Sequence, residues 1–76
     1  MKGNIILSSD YRYENLVAEI YIDEKYIALV SYDDNQNFFI ETPTNNSDDT
    51  LVNHKIPYEV FINLLYDAKQ KLLQEK

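Results

Sequence analysis

The fold is decided by residues 16–32, which read LVAEIYIDEKYIALVSY. Apolar side chains occupy every second position of residues 16–22, and this alternation predicts a strand with one buried face. Residues 26–32 are apolar on both faces, which is typical of a strand at the centre of a sheet. The polar residues 23–25 between them contain no glycine, so we predict a hairpin closed by a three- or four-residue loop.

Two further strands are predicted on either side of this hairpin. Residues 4–8 favour an earlier strand, and residues 37–42 favour a later one that ends at Pro43. The Asp, Asn and Gln cluster at residues 33–36 favours a turn, because Asp and Asn side chains bond to their own backbone. Consecutive strands joined by short turns indicate an antiparallel meander of three or four strands.

The C-terminal residues 57–75 predict an amphipathic helix, with Pro57 at a first helical position where its missing N–H costs little. The apolar residues that recur at i, i+3 and i+4 and form one stripe are Val60, Phe61, Leu64, Leu65, Ala68 and Leu72. We therefore predict an α+β fold, in which a three- or four-stranded antiparallel meander sheet has one C-terminal helix packed on one face. Residues 1–76 are predicted to form a single domain, with the longest loop at residues 44–50.

Charge is distributed unevenly along this chain of net charge −6. Residues 1–50 contain ten of the thirteen acids and three of the seven basic residues, so they carry −7, whereas residues 51–76 carry +1. Such a charge repels phosphate backbones and anionic bilayers, so we expect no direct binding of nucleic acid or membrane. The sequence also lacks cysteine, a recognisable leader and a membrane-length apolar segment, which favours a cytoplasmic protein.

Patterns that carry catalysis or metal binding are incomplete in this sequence. Residues 33–37 read DDNQN and fit the opening of a calcium loop, but Phe38 and Thr44 stand where the glycine and the bidentate glutamate belong. His54 is the single histidine, and no cysteine accompanies it as a zinc ligand. No serine lies in a nucleophile-elbow context. We therefore predict no catalytic residue, no metal site and no cofactor, and a protein that is not an enzyme.

The remaining chemistry is that of a protein-binding surface. Acids cluster in the predicted turns and the long loop, where side chains can project toward a partner, and tyrosines lie near them in the sequence. Alternation favours a buried Tyr26, with Tyr21 or Tyr32 at least partly exposed. The partner is predicted to be a positively charged protein. The predicted contacts are Asp33, Asp34, Glu41, Asp48 and Asp49, with Tyr32 as an anchor.

Several segments resemble the small bacterial immunity proteins that are paired with polymorphic or contact-dependent growth-inhibition toxins. The similarity lies in the hairpin of residues 16–32, the strand end at residues 40–43 (IETP), residues 56–61 (IPYEVF) and the Ala68-Lys69 pair of the helix. The resemblance implies a small acidic protein that binds its cognate toxin in the cytoplasm and neutralises it. In such families the toxin is often a nuclease whose active site is blocked.

Two other functions fit the same sequence. A phage- or plasmid-borne anti-defence inhibitor that mimics nucleic-acid charge would have the same acidic surface but would target a host defence protein. A small adaptor would bind by adding a partner's strand to an open sheet edge, and its affinity would respond little to salt. For the chain itself we expect a monomer or a weak homodimer.

Overall fold

A computed structural model describes residues 2–42 and 55–75 of the chain. They form β1 (Gly3–Ser8), β2 (Val17–Ile22), β3 (Lys25–Tyr32), β4 (Phe38–Glu41) and α1 (Tyr58–Gln74). The strands lie in the order β1-β2-β3-β4 with antiparallel neighbours, and α1 packs against one face of the sheet. The predicted α+β meander with a C-terminal helix is confirmed, and the described sheet has four strands. The predicted loop at residues 44–50 lies outside the described residues.

The core lies between α1 and the face of the sheet that α1 covers. The register of the three longest strands places Ile5 beside Ile20 and Ile20 beside Ala28, and all three side chains point toward the helix. From the helix, Ala68 and Leu72 complete this core and are fully buried. The alternation in the sequence of β2 therefore identified the buried face correctly.

Gly3 lies at the start of β1, where Leu64 of α1 packs directly against it. A Cβ atom at this position would lie 2.7 Å from Cδ2 of Leu64 and 2.9 Å from its Cδ1. Both distances are shorter than a favourable carbon–carbon contact, so any larger residue would push the leucine out of place. The single glycine of the chain thus lets the helix approach the sheet.

The turn between β2 and β3 differs from the prediction of a three- or four-residue loop. Only Asp23 and Glu24 join the strands, with φ values of 51° and 69°. Two positive φ values are the pattern of a type I′ turn, whose twist fits antiparallel strands. Lys2 supports the turn, because its N–H donates to Asp23 Oδ1 at 2.9 Å and its carbonyl accepts the Asp23 N–H at 2.8 Å. This support comes from outside the hairpin, so residues 23–25 alone did not reveal it.

A β-bulge makes the predicted burial of Tyr26 wrong. The register shifts between Ile20 and Tyr21, so that Ile20 pairs with Ala28 whereas Tyr21 pairs with Tyr26. Ile27 is the extra residue, and simple alternation fails on its N-terminal side. Tyr26 consequently points away from α1 and is 37% exposed, with its ring centroid 5.6 Å from that of Tyr21.

The ends of α1 follow from local chemistry. Pro57 takes the N-cap position with φ −56° and ψ 133°, so the helix begins at Tyr58, one residue later than predicted. Glu59 in the first turn and Lys71 in the last turn place charges that complement the helix dipole.

Candidate protein-binding surface

The face of the sheet that α1 leaves uncovered combines carboxylates with apolar side chains. The register sets Ile6, Glu19, Leu29 and Glu41 in one row across the four described strands. Neighbouring strands lie about 4.8 Å apart, so the two glutamates flank Leu29 at roughly 10 Å from each other. We call this surface the open face, and it is defined by that row together with Tyr21, Tyr26 and Phe39.

The connection between β1 and β2 folds back over one part of the open face. The Tyr13 hydroxyl donates a hydrogen bond to Glu41 Oε2 at 2.6 Å. Asn15 Nδ2 donates to the backbone carbonyl of Tyr32 at 3.2 Å and to Asp34 Oδ1 at 3.3 Å. These bonds tie the connection to β3, to the turn that follows it and to β4.

A groove of about 410 Å³ lies between this connection and the ends of β3 and β4. We call it the acidic groove, and it is lined by Arg12, Tyr13, Glu14, Ser31, Tyr32, Asp33, Phe39, Ile40 and Glu41. Phe39 is 50% exposed, so the groove offers apolar surface beside its carboxylates. This mixture is typical of protein interfaces, in which apolar anchors are surrounded by a polar rim.

The negative charge of the acidic groove exceeds the positive charge that the described residues bring to it. Arg12 is its one basic lining residue within that part of the chain, and its Nη2 is bound to Asp10 Oδ2 at 2.7 Å. This ion pair lowers the pKa of Asp10. In contrast, a hydrogen bond with Asp34, together with the negative charges of Asp34 and Asp33, raises the pKa of Glu14. A carboxyl group whose pKa is raised by other carboxylates lies in a region of excess negative potential.

Asp33 is bound mainly within its own turn. Its Oδ1 accepts the backbone N–H of Asn35 at 3.0 Å and of Asn37 at 2.9 Å, while Oδ2 accepts the Asn37 side-chain amide at 3.1 Å. These hydrogen bonds, led by those from Asn37, lower the pKa of Asp33. Gln36 adopts a positive φ of 63° in the same turn. The carboxylate of Asp33 therefore shapes the turn between β3 and β4 and leaves less acceptor capacity for a partner.

The structure brings most of the predicted contact residues to one end of the sheet. Asp33, Glu41 and the half-buried Tyr32 line the acidic groove, and Asp34 joins it through Glu14. The Tyr32 ring lies 5.4 Å from that of Phe38, centroid to centroid. The two remaining predicted contacts, Asp48 and Asp49, lie outside the described residues.

Sequence reasoning missed six residues that line the acidic groove, namely Arg12, Tyr13, Glu14, Ser31, Phe39 and Ile40. A usable signal was present, because in a meander the first and third connections lie at the same end of the sheet. Residues 9–16 and 33–37 therefore had to approach each other, which brings Glu14 to Asp34. The fold-back of Tyr13 onto Glu41 has no comparable signal, since it depends on a single side-chain hydrogen bond.

No protein-family model, curated protein or solved structure matches this chain. The resemblance to immunity proteins thus rests on the sequence segments alone and remains a prediction. Within residues 2–42 and 55–75, no three His, Asp or Glu side chains are grouped so that they could hold a metal ion. In the same residues, no helix has both the length and the apolar character to cross a membrane.

Proposed function

We propose that this chain is a cytoplasmic immunity or inhibitor protein that binds a cognate basic toxin, such as a nuclease, and occludes its substrate cleft. The observation that supports this proposal most strongly is the grouping of Glu14, Asp33 and Glu41 around the acidic groove, where Glu14 lies within hydrogen-bonding reach of Asp34 and the two carboxylates repel each other when both are ionised. A lysine or arginine from a partner would relieve that repulsion when it enters between the two carboxylates. Binding would then replace an unfavourable contact in the free chain with a favourable one across the interface.

Acidic and apolar side chains have different tasks in this proposal. The negative charge of Glu14, Asp34 and Glu41 takes the place of the substrate phosphates that a nuclease cleft binds. This charge speeds the encounter with a basic partner and favours such a partner over others. Phe39 is half-exposed beside these carboxylates and buries apolar area once the partner has docked. We therefore expect the association rate constant to depend mainly on the carboxylates and the dissociation rate constant mainly on the apolar residues.

Capture of a partner from the native host tests this function. The tagged chain is compared with the variant Glu14→Gln/Asp34→Asn/Glu41→Gln. The matched control removes three carboxylates from outside the groove and is Glu24→Gln/Asp67→Asn/Glu75→Gln. At low salt we expect the native chain and the control to capture a protein with a basic domain, and the groove variant to lose it.

The captured protein is then expressed alone and together with the chain. We expect growth arrest in the first case and restored growth in the second. Equal capture by the groove variant, or a captured protein that is harmless when expressed alone, would contradict the proposal. A harmless defence nuclease that the chain inhibits would identify the anti-defence alternative.

A second candidate function is strand addition at β4, which favours a small adaptor. β4 is a four-residue strand at the edge of the described sheet, and its Phe39 and Ile40 project to opposite faces with half of each side chain exposed. A partner strand would bond to the backbone and bury both side chains. Capture that persists in high salt and in the groove variant supports this candidate over the electrostatic one.

A further inference from the structure

The outer side of α1 carries an apolar stripe that no part of residues 2–42 and 55–75 covers. Tyr58, Ile62 and Tyr66 recur every four residues and are 73%, 41% and 64% exposed. Successive residues at this spacing lie on one side of a helix. The core uses a different side of α1, that of Ala68 and Leu72, so the helix is apolar on two sides. We call the exposed set, Tyr58, Ile62 and Tyr66, the outer stripe.

The charges of α1 set this helix apart from the rest of the chain. Its two acids, Glu59 and Asp67, precede its two lysines, Lys69 and Lys71, so the helix is neutral in a chain of net charge −6. A second copy of so acidic a chain is repelled from the acidic groove, where Glu14, Asp33, Asp34 and Glu41 lie together. The neutral helix is the surface on which two copies meet with least repulsion.

We propose that the outer stripe is a self-association site, on which a second copy of this chain docks its own α1 in antiparallel orientation. This inference concerns a surface distinct from the acidic groove and does not depend on the proposed function. In an antiparallel pair the acidic first half of each helix faces the basic second half of the other. The two helix dipoles are also opposed, which is the favourable arrangement.

One register pairs two residues of the outer stripe as well as the charged residues, and it places Tyr58 opposite Gln70 of the second copy. With the two-fold axis at the level of residue 64, Ile62 lies opposite Tyr66 of the second copy. Glu59 and Lys69 are each five residues from that level, about 7.5 Å along the helix, so each glutamate meets the other copy's lysine. In the single chain the Lys69 Nζ lies 4.9 Å from the Phe38 ring centroid, so this ammonium exchanges a contact with its own β4 for the glutamate of the second copy. The pair thus gains two symmetric ion pairs around its apolar centre.

The area of the outer stripe predicts a weak dimer. Aromatic side chains bury about 150–250 Å² each, so the exposed fractions of the three residues amount to roughly 350 Å² per copy. Two copies would bury roughly 700 Å² from these residues, which is below the ~1,200 Å² of a stable specific interface. We therefore expect a concentration-dependent equilibrium between monomer and dimer.

Sedimentation velocity of the full chain over a concentration series tests this inference. We expect the sedimentation coefficient to rise with concentration, and Ile62→Gln/Tyr66→Gln to weaken the dimer at least tenfold while circular dichroism shows an unchanged fold. Both residues are exposed and Gln is a good helix former, so these changes leave the core intact.

Charge reversal tests the register. Glu59→Lys and Lys69→Glu should each weaken the dimer, and the double variant Glu59→Lys/Lys69→Glu should restore it. The matched control, Asp67→Lys and Lys71→Glu, reverses charges that lie away from the outer stripe and should change nothing.

Three results would overturn the inference. The first is a chain that stays monomeric at all concentrations, and the second is a dimer that is unaffected by the stripe variant. The third is a stripe variant that leaves sedimentation unchanged but abolishes capture of a basic protein, which would assign the outer stripe to a different partner. Single charge reversals without effect would overturn the antiparallel register.

Discussion

The two faces of the sheet are built from alternate residues of the same strands, yet they have opposite properties. In β2, Ala18, Ile20 and Ile22 point toward α1 and are buried, whereas Glu19 and Tyr21 point to the open face and are half-buried. The covered face is uniformly apolar, while the open face mixes carboxylates with aromatic rings. Because a strand alternates its side chains, the covered face supplies most of the core, whereas the open face buries Val17 and Leu29 and leaves Glu41, Tyr26 and Phe39 exposed. Changes on the two faces should therefore be separable.

The largest expected effect is on the covered face. Leu72→Ala removes a fully buried side chain from the contact between α1 and the sheet, and we expect a loss of about 2–5 kcal/mol in the free energy of unfolding. The matched change on the open face is Ile6→Ala, which shortens a side chain that is 44% exposed and should cost well under half as much. Urea unfolding measures both values. Equal losses in the free energy of unfolding would show that the open face contributes as much to stability as the covered face.

The contact between Gly3 of β1 and Leu64 of α1 gives the next effect. Gly3→Ala places a methyl group 2.7 Å from Leu64 Cδ2, and we expect a loss of about 1–3 kcal/mol in the free energy of unfolding. Leu64→Ala in the same chain removes the clash, so the double variant should lose less than the sum of the two single variants. Strict additivity in this double-mutant cycle would mean that the two residues do not touch.

A smaller effect, dependent on pH, is expected in the turn after β3. Hydrogen bonds hold the pKa of Asp33 below its ordinary value of 3.8, so its ionised form stabilises the folded state above that pH. Asp33→Asn should lower the Tm at neutral pH. The difference should shrink as the pH falls through the lowered pKa of Asp33, where the native carboxyl also becomes neutral. A difference in Tm that is the same at neutral and acid pH would exclude the charge as its cause.

The smallest effect has the opposite sign and belongs to the acidic groove. Asp34 raises the pKa of Glu14 above its ordinary value of 4.5, so the folded state loses stability as the pH rises through the raised value. Glu14→Gln should therefore raise the Tm slightly at neutral pH, and this gain should vanish at a pH below 4.5. A lower Tm at neutral pH would show that Glu14 is paired with a positive charge in the native chain.

The covered face was predictable from the sequence and the open face was only partly so. Apolar residues recur at every second position in residues 16–22 and about every 3.6 positions in residues 57–75. Burial of one face imposes such a repeat on a whole segment, so it can be recognised in the sequence. The two-residue turn at Asp23 depends instead on Lys2, and the exposure of Tyr26 depends on one inserted residue. Such single events leave no periodic trace in the sequence.

The candidate site was likewise predicted only in part from the sequence. Its acidic character and the residues Asp33, Asp34, Glu41 and Tyr32 were predicted from turn positions and charge. The apolar part of the acidic groove was missed because Phe39 and Ile40 read as ordinary strand residues. Their exposure follows from the position of β4 at the edge of the described sheet, and that position requires the strand order.

The central claim is that the acidic groove holds unbalanced negative charge that a basic partner neutralises. Its most direct test is the association rate constant with the captured partner, measured by stopped flow over a range of salt concentrations. For the native chain and for the control Glu24→Gln/Asp67→Asn/Glu75→Gln, we predict fast association that slows steeply as salt is added. For Glu14→Gln/Asp34→Asn/Glu41→Gln, we predict a rate at least about tenfold lower at low salt, with a shallower salt dependence. Identical rates and salt dependences for the groove variant and the control would contradict the claim.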